Sequence, residues 1–285
     1  MPASFGSRLA AAFAQHGQLC VGVDPHSALL TDWGLTDDVA GLETFARSVV
    51  AAAAGQVGII KPQVSFFERF GSRGFAVLEK LGEEAREAGL LVIMDAKRGD
   101  IGSTMDAYFD AWLGKSAPFY SDALTVSPYL GFDSLKPFMA GAVERGKGLF
   151  VLSATSNPEG AALQTALTDE KTIAASIFDG LTNVNAITSG PGELMGSFGA
   201  VLGATLNLSR FGLGELLTIP QPITTPILAP GFGAQGATLG QIRGLFGVAA
   251  DQVIASVSRS VLGAGPGGIS AAIESAKAEL AQGLA

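Results

Sequence analysis

The chain has 285 residues, of which 48% are hydrophobic and 15% are charged, and its formal net charge is -8. This length suits one α/β barrel, and the apolar content predicts a large core and excludes a disordered chain. The negative charge argues against nucleic acid as a partner, because DNA and RNA are bound through an excess of lysine and arginine.

Rare residue types restrict the chemistry further. Cys20 is the single cysteine, which excludes an internal disulfide and a cysteine-based zinc site. The chain has two histidines, His16 and His26. No apolar run in the sequence reaches the length of a membrane span, and the amino terminus lacks a signal pattern. The composition predicts a cytoplasmic protein that binds neither a metal nor a membrane.

Strands and helices are predicted to alternate along the chain. The predicted strands lie at residues 19–24, 58–63, 90–97, 123–127, 149–153, 199–205, 226–231 and 252–258. The predicted helices lie at residues 5–15, 38–54, 74–88, 103–113, 134–145, 169–186 and 269–281. This alternation predicts a parallel sheet that closes into a single (β/α)8 TIM barrel over residues 1–285, with a longer connection at about 157–198. An open doubly wound sheet is the alternative, but no Gly-x-Gly-x-x-Gly follows the first strand.

A cluster of charges follows the third predicted strand. Asp95 and Lys97 are two residues apart, so an extended chain directs both side chains to one face. Ser103, with Asp106 three residues later, predicts a capping box at the start of the next helix. A salt bridge at the strand end would explain Asp95 and Lys97. It would not explain Asp100, because a second carboxylate beside the same charges costs energy, and the cluster therefore indicates a functional site.

Polar residues also end the first two predicted strands, where Asp24 and Lys61 stand. In a closed barrel the carboxyl ends of all strands meet on one face, and active sites form there. We therefore expect Asp24, Lys61, Asp95 and Lys97 to share one rim, with charges that alternate in sign.

The loops after the last two predicted strands favour a bound anion. Residues 231–236 are rich in glycine, so backbone N–H groups could approach a phosphate, although an ordinary turn is the alternative. Arg259 follows the eighth strand, where a guanidinium could bind the same phosphate. After the fifth strand, Thr155 and Ser156 precede Asn157, in a pattern that is often only a turn.

The pattern Asp95-x-Lys97-x-x-Asp100-Ile101-x-x-Thr104 resembles the signature of the orotidine 5'-phosphate decarboxylase family. The resemblance extends from Asp24 to Arg259, and the long connection is similar to that of the longer bacterial subgroup. It implies decarboxylation of orotidine 5'-phosphate to UMP and CO₂ in pyrimidine biosynthesis, without a cofactor. The catalytic residues that it implies are Lys61, Asp95, Lys97 and Asp100, and the substrate-binding residues are Asp24, Lys61, Ile101, Thr104, Ser156, Gln235 and Arg259.

The resemblance gives each of these residues a role. Lys97 would stabilise and protonate the C6 carbanion, and Asp24 and Lys61 would face the ribose hydroxyls. Gln235 and Arg259 would bind the phosphate, although serines flank this arginine where many family members have glycine. The pyrimidine would contact Ser156, with Thr155 as the neighbouring alternative.

The family pattern also implies a homodimer with shared active sites, in which Asp100, Ile101 and Thr104 reach into the neighbouring subunit. Two other functions remain open at this point. One is a Mg²⁺-dependent sugar-phosphate decarboxylase or aldolase of the same superfamily. The other is a non-catalytic barrel that binds nucleotide phosphates, although such a protein would need only the phosphate end of the site.

Overall fold

The computed structural model describes residues 2–285. Its strands are β1 (Leu19–Val23), β2 (Ile59–Pro62), β3 (Leu91–Arg98), β4 (Ala123–Val126), β5 (Gly148–Ala154), β6 (Leu167–Thr168), β7 (Lys171–Thr172), β8 (Phe198–Leu202), β9 (Ile227–Pro230) and β10 (Val253–Val257). Its α-helices are α1 (Phe5–His16), α2 (Ser27–Asp32), α3 (Val39–Ala53), α4 (Val64–Glu68), α5 (Gly71–Glu87), α6 (Gly102–Trp112), α7 (Lys136–Glu144), α8 (Gly160–Gln164), α9 (Ile173–Thr188), α10 (Ile242–Phe246), α11 (Arg259–Leu262) and α12 (Gly265–Leu284). Short 3₁₀ helices lie at Phe132–Leu135, Leu208–Phe211, Leu216–Thr218, Leu239–Gln241 and Gly247–Gln252.

Parallel strands close into a barrel in the order β1-β2-β3-β4-β5-β8-β9-β10, and β10 pairs back to β1. In the register, Val21 of β1 lies between Ile60 of β2 and Val257 of β10. Seven of the eight barrel strands begin and end within one residue of the predicted ones, and β8 ends three residues earlier than predicted, so the predicted (β/α)8 barrel is confirmed. Among residues 2–285, no helix is both long enough and apolar enough to cross a membrane.

The connection between β5 and β8 contains more structure than the sequence predicts. It holds α8, the antiparallel hairpin β6–β7 and then α9. Helix α9 begins at Ile173 rather than at 169, because the Thr172 side chain accepts a hydrogen bond from the Ala175 backbone N–H and caps the helix there.

The predicted capping box at Ser103 is wrong. Helix α6 begins at Gly102, and its N-cap residue Ile101 makes no side-chain capping bond. The chain turns at Gly102, whose φ of 55° lies in the left-handed region that favours glycine. Ser103 is therefore already inside the helix, where its hydroxyl does not occupy the capping position.

Two apolar clusters stabilise the barrel. The larger cluster lies between the strands and the surrounding helices, and the smaller one fills the barrel interior. Helix α1 contributes Phe5 and Leu9 to the interior cluster, and the Phe5 ring packs edge-to-face on Phe150 with centroids 5.9 Å apart. The amino-terminal end of the barrel is thus filled, and open space remains at the opposite end.

Side-chain alternation along the strands carries polar residues to that opposite end. In β2, Ile59 points into the interior and Ile60 points toward the helices. In β3, Ile93 points into the interior in the same way. Residues two positions further on continue the inward row, and these are Lys61 and Asp95.

Candidate active site

The carboxyl ends of the strands surround a cavity of about 450 Å³. Most of the site residues predicted from the sequence line this cavity, namely Asp24, Lys61, Asp95, Lys97, Ser156, Gln235 and Arg259. The predicted rim of alternating charges is therefore present in one place.

Asp95 is the centre of the charged network. Its Oδ2 accepts hydrogen bonds from Lys61 Nζ at 3.2 Å and from Gln63 Nε2 at 2.9 Å. Its Oδ1 accepts from Lys97 Nζ at 2.6 Å and from Thr125 Oγ1 at 2.9 Å. Both oxygens of one largely buried carboxylate are thus engaged by two cations and two neutral donors, which satisfies a charge that burial would otherwise penalise.

Burial and charge act in opposite directions on this network. Burial disfavours the Lys61 ammonium, but the carboxylates of Asp95 and Asp24 outweigh it and raise the pKa of Lys61 above 10.5. Burial also favours the neutral form of Asp95, but Lys61 and Lys97 hold the pKa of Asp95 well below 3.8. Both groups are therefore charged at neutral pH.

Replacing Asp95 is expected to destabilise the fold. In Asp95→Asn the buried Lys61 ammonium loses its main counter-charge, so the free energy of unfolding should fall by about 3 kcal/mol near pH 7. Urea unfolding at several pH values measures this difference. The matched control is Asp133→Asn, which breaks an exposed ion pair with Lys136 and should change the free energy of unfolding far less.

The pH dependence of that difference follows from the two pKa shifts. Asp95 has a lowered pKa in the folded state. The stabilisation that it gives the fold is therefore complete above pH 3.8 and is lost as the pH falls further. Lys61 has a raised pKa in the folded state. The stabilisation that it gives the fold is therefore complete below pH 10.5 and is lost as the pH rises through the folded-state pKa. The gap between wild type and Asp95→Asn should be widest between these limits, and a gap that grows in acid would contradict this account.

Lys97 projects from an irregular part of β3. The β3–β4 pairing shifts register between Met94 and Arg98, and Lys97 has a φ of 49°, in the region that L residues rarely adopt. Its backbone N–H donates to Thr125 Oγ1 at 3.0 Å, which holds this conformation. The Lys97 side chain is 46% exposed, so its ammonium lies between Asp95 and the open cavity.

Two buried oxygen atoms on the cavity wall lack a hydrogen-bond partner among residues 2–285. They are Asp24 Oδ1 and Ser258 Oγ. Buried polar atoms are normally paired, and each unpaired one costs free energy. A ligand that carries hydroxyl groups would satisfy them, as the predicted ribose contact at Asp24 requires.

The predicted anion site lies on the β9 and β10 side of the cavity. The loop after β9 turns at Gly231, Gly233 and Gly236, whose φ values of 117°, 76° and 109° suit glycine. Gln235 stands in this loop and Arg259 directly follows Ser258, and both line the cavity. The loop is therefore a tight turn, and its Gln235 shares the cavity wall with Arg259.

The structure separates the two hydroxyls that follow β5. Thr155 Oγ1 accepts from Gln164 Nε2 at 2.7 Å and donates to Asn157 Oδ1 at 2.7 Å. The Thr155 hydroxyl is therefore occupied by hydrogen bonds within the protein, and Ser156 lines the cavity beside it.

Asp100, which the sequence groups with the charges after β3 and which the family pattern assigns to the neighbouring subunit, does not line the cavity that the described part of its own chain forms. Asp100 accepts from the Ile101 backbone N–H at 2.8 Å, and neither residue belongs to the cavity wall that residues 2–285 form. Thr104 lies on α6, also away from this wall. Strand β3 ends at Arg98, and residues 99–101 leave the barrel mouth before α6 begins at Gly102, so Ile101 is left 60% exposed.

The sequence did not single out four polar residues of the site. Gln63 and Thr125 contact Asp95, Ser258 has an unpaired buried oxygen, and Gln164 contacts Thr155. Gln63, Thr125 and Ser258 continue the inward-facing rows of side chains of β2, β4 and β10. This alternation is the sequence signal that could have found them. Gln164 carries no such signal, because it lies on a short helix in the long connection.

Among residues 2–285 no cluster of three or more His, Cys, Asp or Glu side chains is positioned to hold a metal ion. Cys20 is buried in the barrel, and burial raises the pKa of its thiol to about 12. Its sulfur is therefore a neutral part of the interior packing.

Comparisons with known proteins agree with this geometry. The model of the orotidine 5'-phosphate decarboxylase / HUMPS family matches residues 17–273. The orotidine 5'-phosphate decarboxylase of Streptomyces coelicolor is 56% identical over 264 residues, which cover 92% of this chain and 91% of that protein. The enzyme of the same name from Corynebacterium glutamicum is 47% identical over 267 residues, 92% of each chain.

Solved structures give the same result. A crystal structure from Streptomyces avermitilis superposes with a TM-score of 0.90 at 52% identity and covers 99% of this chain and 97% of that one. The OMP decarboxylase of Leishmania donovani has a TM-score of 0.75 at 27% identity, covering 99% of this chain and 100% of that one. The residues matched by the family model include the charged network and the loops after β9 and β10, and the chain therefore belongs to the orotidine 5'-phosphate decarboxylase / HUMPS family.

Proposed function

We propose that this protein decarboxylates orotidine 5'-phosphate to UMP and CO₂ in pyrimidine biosynthesis, with Lys97 at the reacting carbon. The observation that carries the proposal is the Lys61–Asp95–Lys97 network at the mouth of a cavity whose other side suits a phosphate. Relatives named orotidine 5'-phosphate decarboxylase at 47% to 56% identity support the same reaction.

The chemistry needs a fixed positive charge. When the bond between C6 and the carboxylate breaks, the electron pair stays on C6 in an orbital that the pyrimidine ring cannot delocalise. The Lys97 ammonium stabilises this carbanion electrostatically inside a partly enclosed site. It then gives a proton to C6, which leaves UMP and a neutral amine that regains a proton from solvent.

Asp95 and Lys61 prepare that ammonium for the reaction. The 2.6 Å contact to Asp95 Oδ1 fixes where the Lys97 Nζ lies before substrate binds. Lys61 balances the same carboxylate from the other side at 3.2 Å, and its position beside Asp24 suits the ribose hydroxyls. Catalysis by this network depends on preorganised charge, so no covalent intermediate is required.

The remote phosphate supplies binding energy without taking part in the chemistry. Arg259 and Gln235 stand where they would hold it, and Ser156 would contact the pyrimidine across the cavity. Such remote binding energy can close the loops over the substrate and so raise the rate of the chemical step.

The proposal also covers assembly and location. Asp100, Ile101 and Thr104 lie outside the cavity of their own chain, which supports a homodimer in which they complete the partner's site. We further propose that residues 1–285 form one catalytic domain that acts in the cytoplasm, with orotidine 5'-phosphate as its small-molecule partner. The twofold symmetry of such a dimer would form two equivalent sites.

A direct assay tests the reaction. Purified protein is mixed with orotidine 5'-phosphate, and the loss of substrate absorbance is followed with and without EDTA. Equal turnover in both samples is the expected result. Loss of turnover with EDTA would contradict the metal-independent reaction, absence of turnover and of UMP binding would favour the sugar-phosphate alternative, and UMP binding without turnover would favour the non-catalytic barrel.

Geometry disfavours the Mg²⁺ alternative. A metal bound at Asp95 would have to displace Lys61 or Lys97, because both carboxylate oxygens already accept hydrogen bonds from these ammonium groups. A carboxylate that is held between two cations is a poor ligand for a third.

Removing the Arg259 guanidinium is expected to weaken binding of the substrate's phosphate group. Arg259→Ala is expected to lower kcat/KM for orotidine 5'-phosphate by about 10²-fold, because a charged donor to an anion is lost. Orotidine without phosphate should be processed by both proteins at a similar, much lower rate. Steady-state kinetics with the two substrates measures the difference.

The matched control for Arg259→Ala is Arg210→Ala. Arg210 is an exposed arginine outside the cavity wall, so its loss should leave the kinetics unchanged. Equal losses for the two substrates in Arg259→Ala would mean that this arginine acts on the fold and not on the phosphate.

A further inference from the structure

A compact set of hydrogen bonds holds the segment that carries Ser156. The Thr155 backbone N–H donates to Gln164 Oε1 at 2.9 Å, and Gln164 Nε2 donates back to Thr155 Oγ1 at 2.7 Å. The Thr155 hydroxyl then donates to Asn157 Oδ1 at 2.7 Å. The residues on both sides of Ser156 are therefore tied to each other, and one of them is tied to α8.

The direction of these bonds requires an amide at position 164. The Gln164 side chain accepts with its oxygen and donates with its nitrogen. The Thr155 hydroxyl accepts from that nitrogen and in turn donates to Asn157. Asn157 in turn donates from Nδ2 to Glu159 Oε2 at 3.3 Å. Every donor in this chain of bonds faces an acceptor, so the set has one favourable orientation.

Close backbone packing confines the same segment. A Cβ at Gly160 would lie 2.9 Å from Thr155 Oγ1 and 3.1 Å from Gln164 Nε2. A Cβ at Gly203, after β8, would lie 3.2 Å from the Ser156 backbone nitrogen. Two glycines thus let the polar set and Ser156 approach the neighbouring backbone, which leaves Ser156 little freedom to move.

We propose that Gln164 is a positioning residue for Ser156. The inference rests on the proposed function, in which the Ser156 hydroxyl contacts the pyrimidine. Gln164 lines the cavity, but its amide is occupied by Thr155, so it acts on the substrate through the 155–157 segment. Helix α8 in the long connection then has a function, which is to carry this amide to the end of β5.

The isosteric variant Gln164→Glu is expected to be impaired despite its unchanged size. An ionised carboxylate accepts but does not donate, so the Thr155 hydroxyl would turn toward it and leave Asn157 without a donor. Rotating the Asn157 amide would restore one bond, but it would place an oxygen against the Glu159 carboxylate.

A double-mutant cycle tests the inference in the full-length enzyme. Gln164→Ala should lower kcat/KM for orotidine 5'-phosphate by about ten-fold, mainly through kcat. Ser156→Ala/Gln164→Ala should be within about two-fold of Ser156→Ala alone, because the two residues act through one contact. Arg259→Ala/Gln164→Ala should instead show the product of the two separate losses. Leu163→Ala, an exposed side chain on the same helix, is the control for α8.

Additional variants make the cycle robust to misfolding. If Gln164→Ala does not fold, Gln164→Glu and Thr155→Val replace it in the same cycle, since they remove one donor each. Thr155→Ser, which keeps the hydroxyl, should lie closer to wild type than Thr155→Val. An unchanged rate in these variants, or losses that multiply with Ser156→Ala, would overturn the positioning role.

A crystal structure of Gln164→Ala provides a structural readout that does not depend on enzyme activity. The expected result is a displaced or disordered 155–157 segment, and a Ser156 that stays within about 0.5 Å of its place would overturn the inference. A wild-type enzyme that fails to decarboxylate would contradict the proposed function alone, because the position of Ser156 is still read from the structure.

Discussion

Replacing Lys97 with alanine is expected to abolish turnover while UMP still binds. The variant removes the positive charge at C6 and the proton that replaces CO₂, so kcat should fall on the order of 10⁴-fold or more. The groups assigned to the phosphate and the ribose, Arg259, Gln235 and Asp24, lie elsewhere on the cavity wall. Single-turnover kinetics measures the rate, and calorimetry measures UMP binding.

The design separates a chemical role from a structural one. Asp95 keeps Lys61, Gln63 and Thr125 as partners in Lys97→Ala, so the fold should persist by circular dichroism. Lys115→Ala, which removes an exposed lysine outside the cavity wall, is the control and should retain full activity. A folded Lys97→Ala protein that loses UMP binding together with activity would contradict this division of labour.

Mixing two inactive variants is expected to restore activity. If Asp100 completes the partner's site, a mixed dimer of Lys97→Ala and Asp100→Ala has both defects in one site and none in the other. Random exchange of equal amounts makes about half of the dimers mixed, so activity should return to about a quarter of wild type. The measurement is the decarboxylation rate after subunit exchange, which is verified with two differently labelled chains.

A second mixture is the control for shared sites. Lys97 and Asp24 both line the cavity of their own chain, so Lys97→Ala mixed with Asp24→Ala should show no recovery beyond the parental rates. Verified exchange without recovery in the Lys97 and Asp100 mixture would show that Asp100 serves its own subunit.

The amino-acid sequence by itself determined the barrel and most of its rim. Parallel strands that are buried on both faces appear as apolar runs, and their side chains alternate with a period of two. From their positions at the ends of their strands, Lys61 and Asp95 are predicted to lie on the barrel rim, and both line the cavity there. The resemblance in the Asp95–Thr104 pattern then predicted the family, which the comparisons confirm.

Only the tertiary structure decided which groups contact one another. Gln63 and Thr125 meet Asp95 although they are 32 and 30 residues away from it in the chain, and no local pattern encodes such a pairing. The left-handed conformation of Lys97 arises where β3 and β4 shift register, and Asp100 leaves the mouth in the short segment between the end of β3 and the start of α6.

The choice between Thr155 and Ser156 shows the same limit most clearly. Both are small hydroxyl residues in one turn, so composition and spacing do not distinguish them. Gln164 distinguishes them, because its amide reaches back from α8 and occupies the Thr155 hydroxyl. A hydrogen bond between side chains nine residues apart depends on how the intervening chain folds, and that is a property of packing which the sequence pattern does not display.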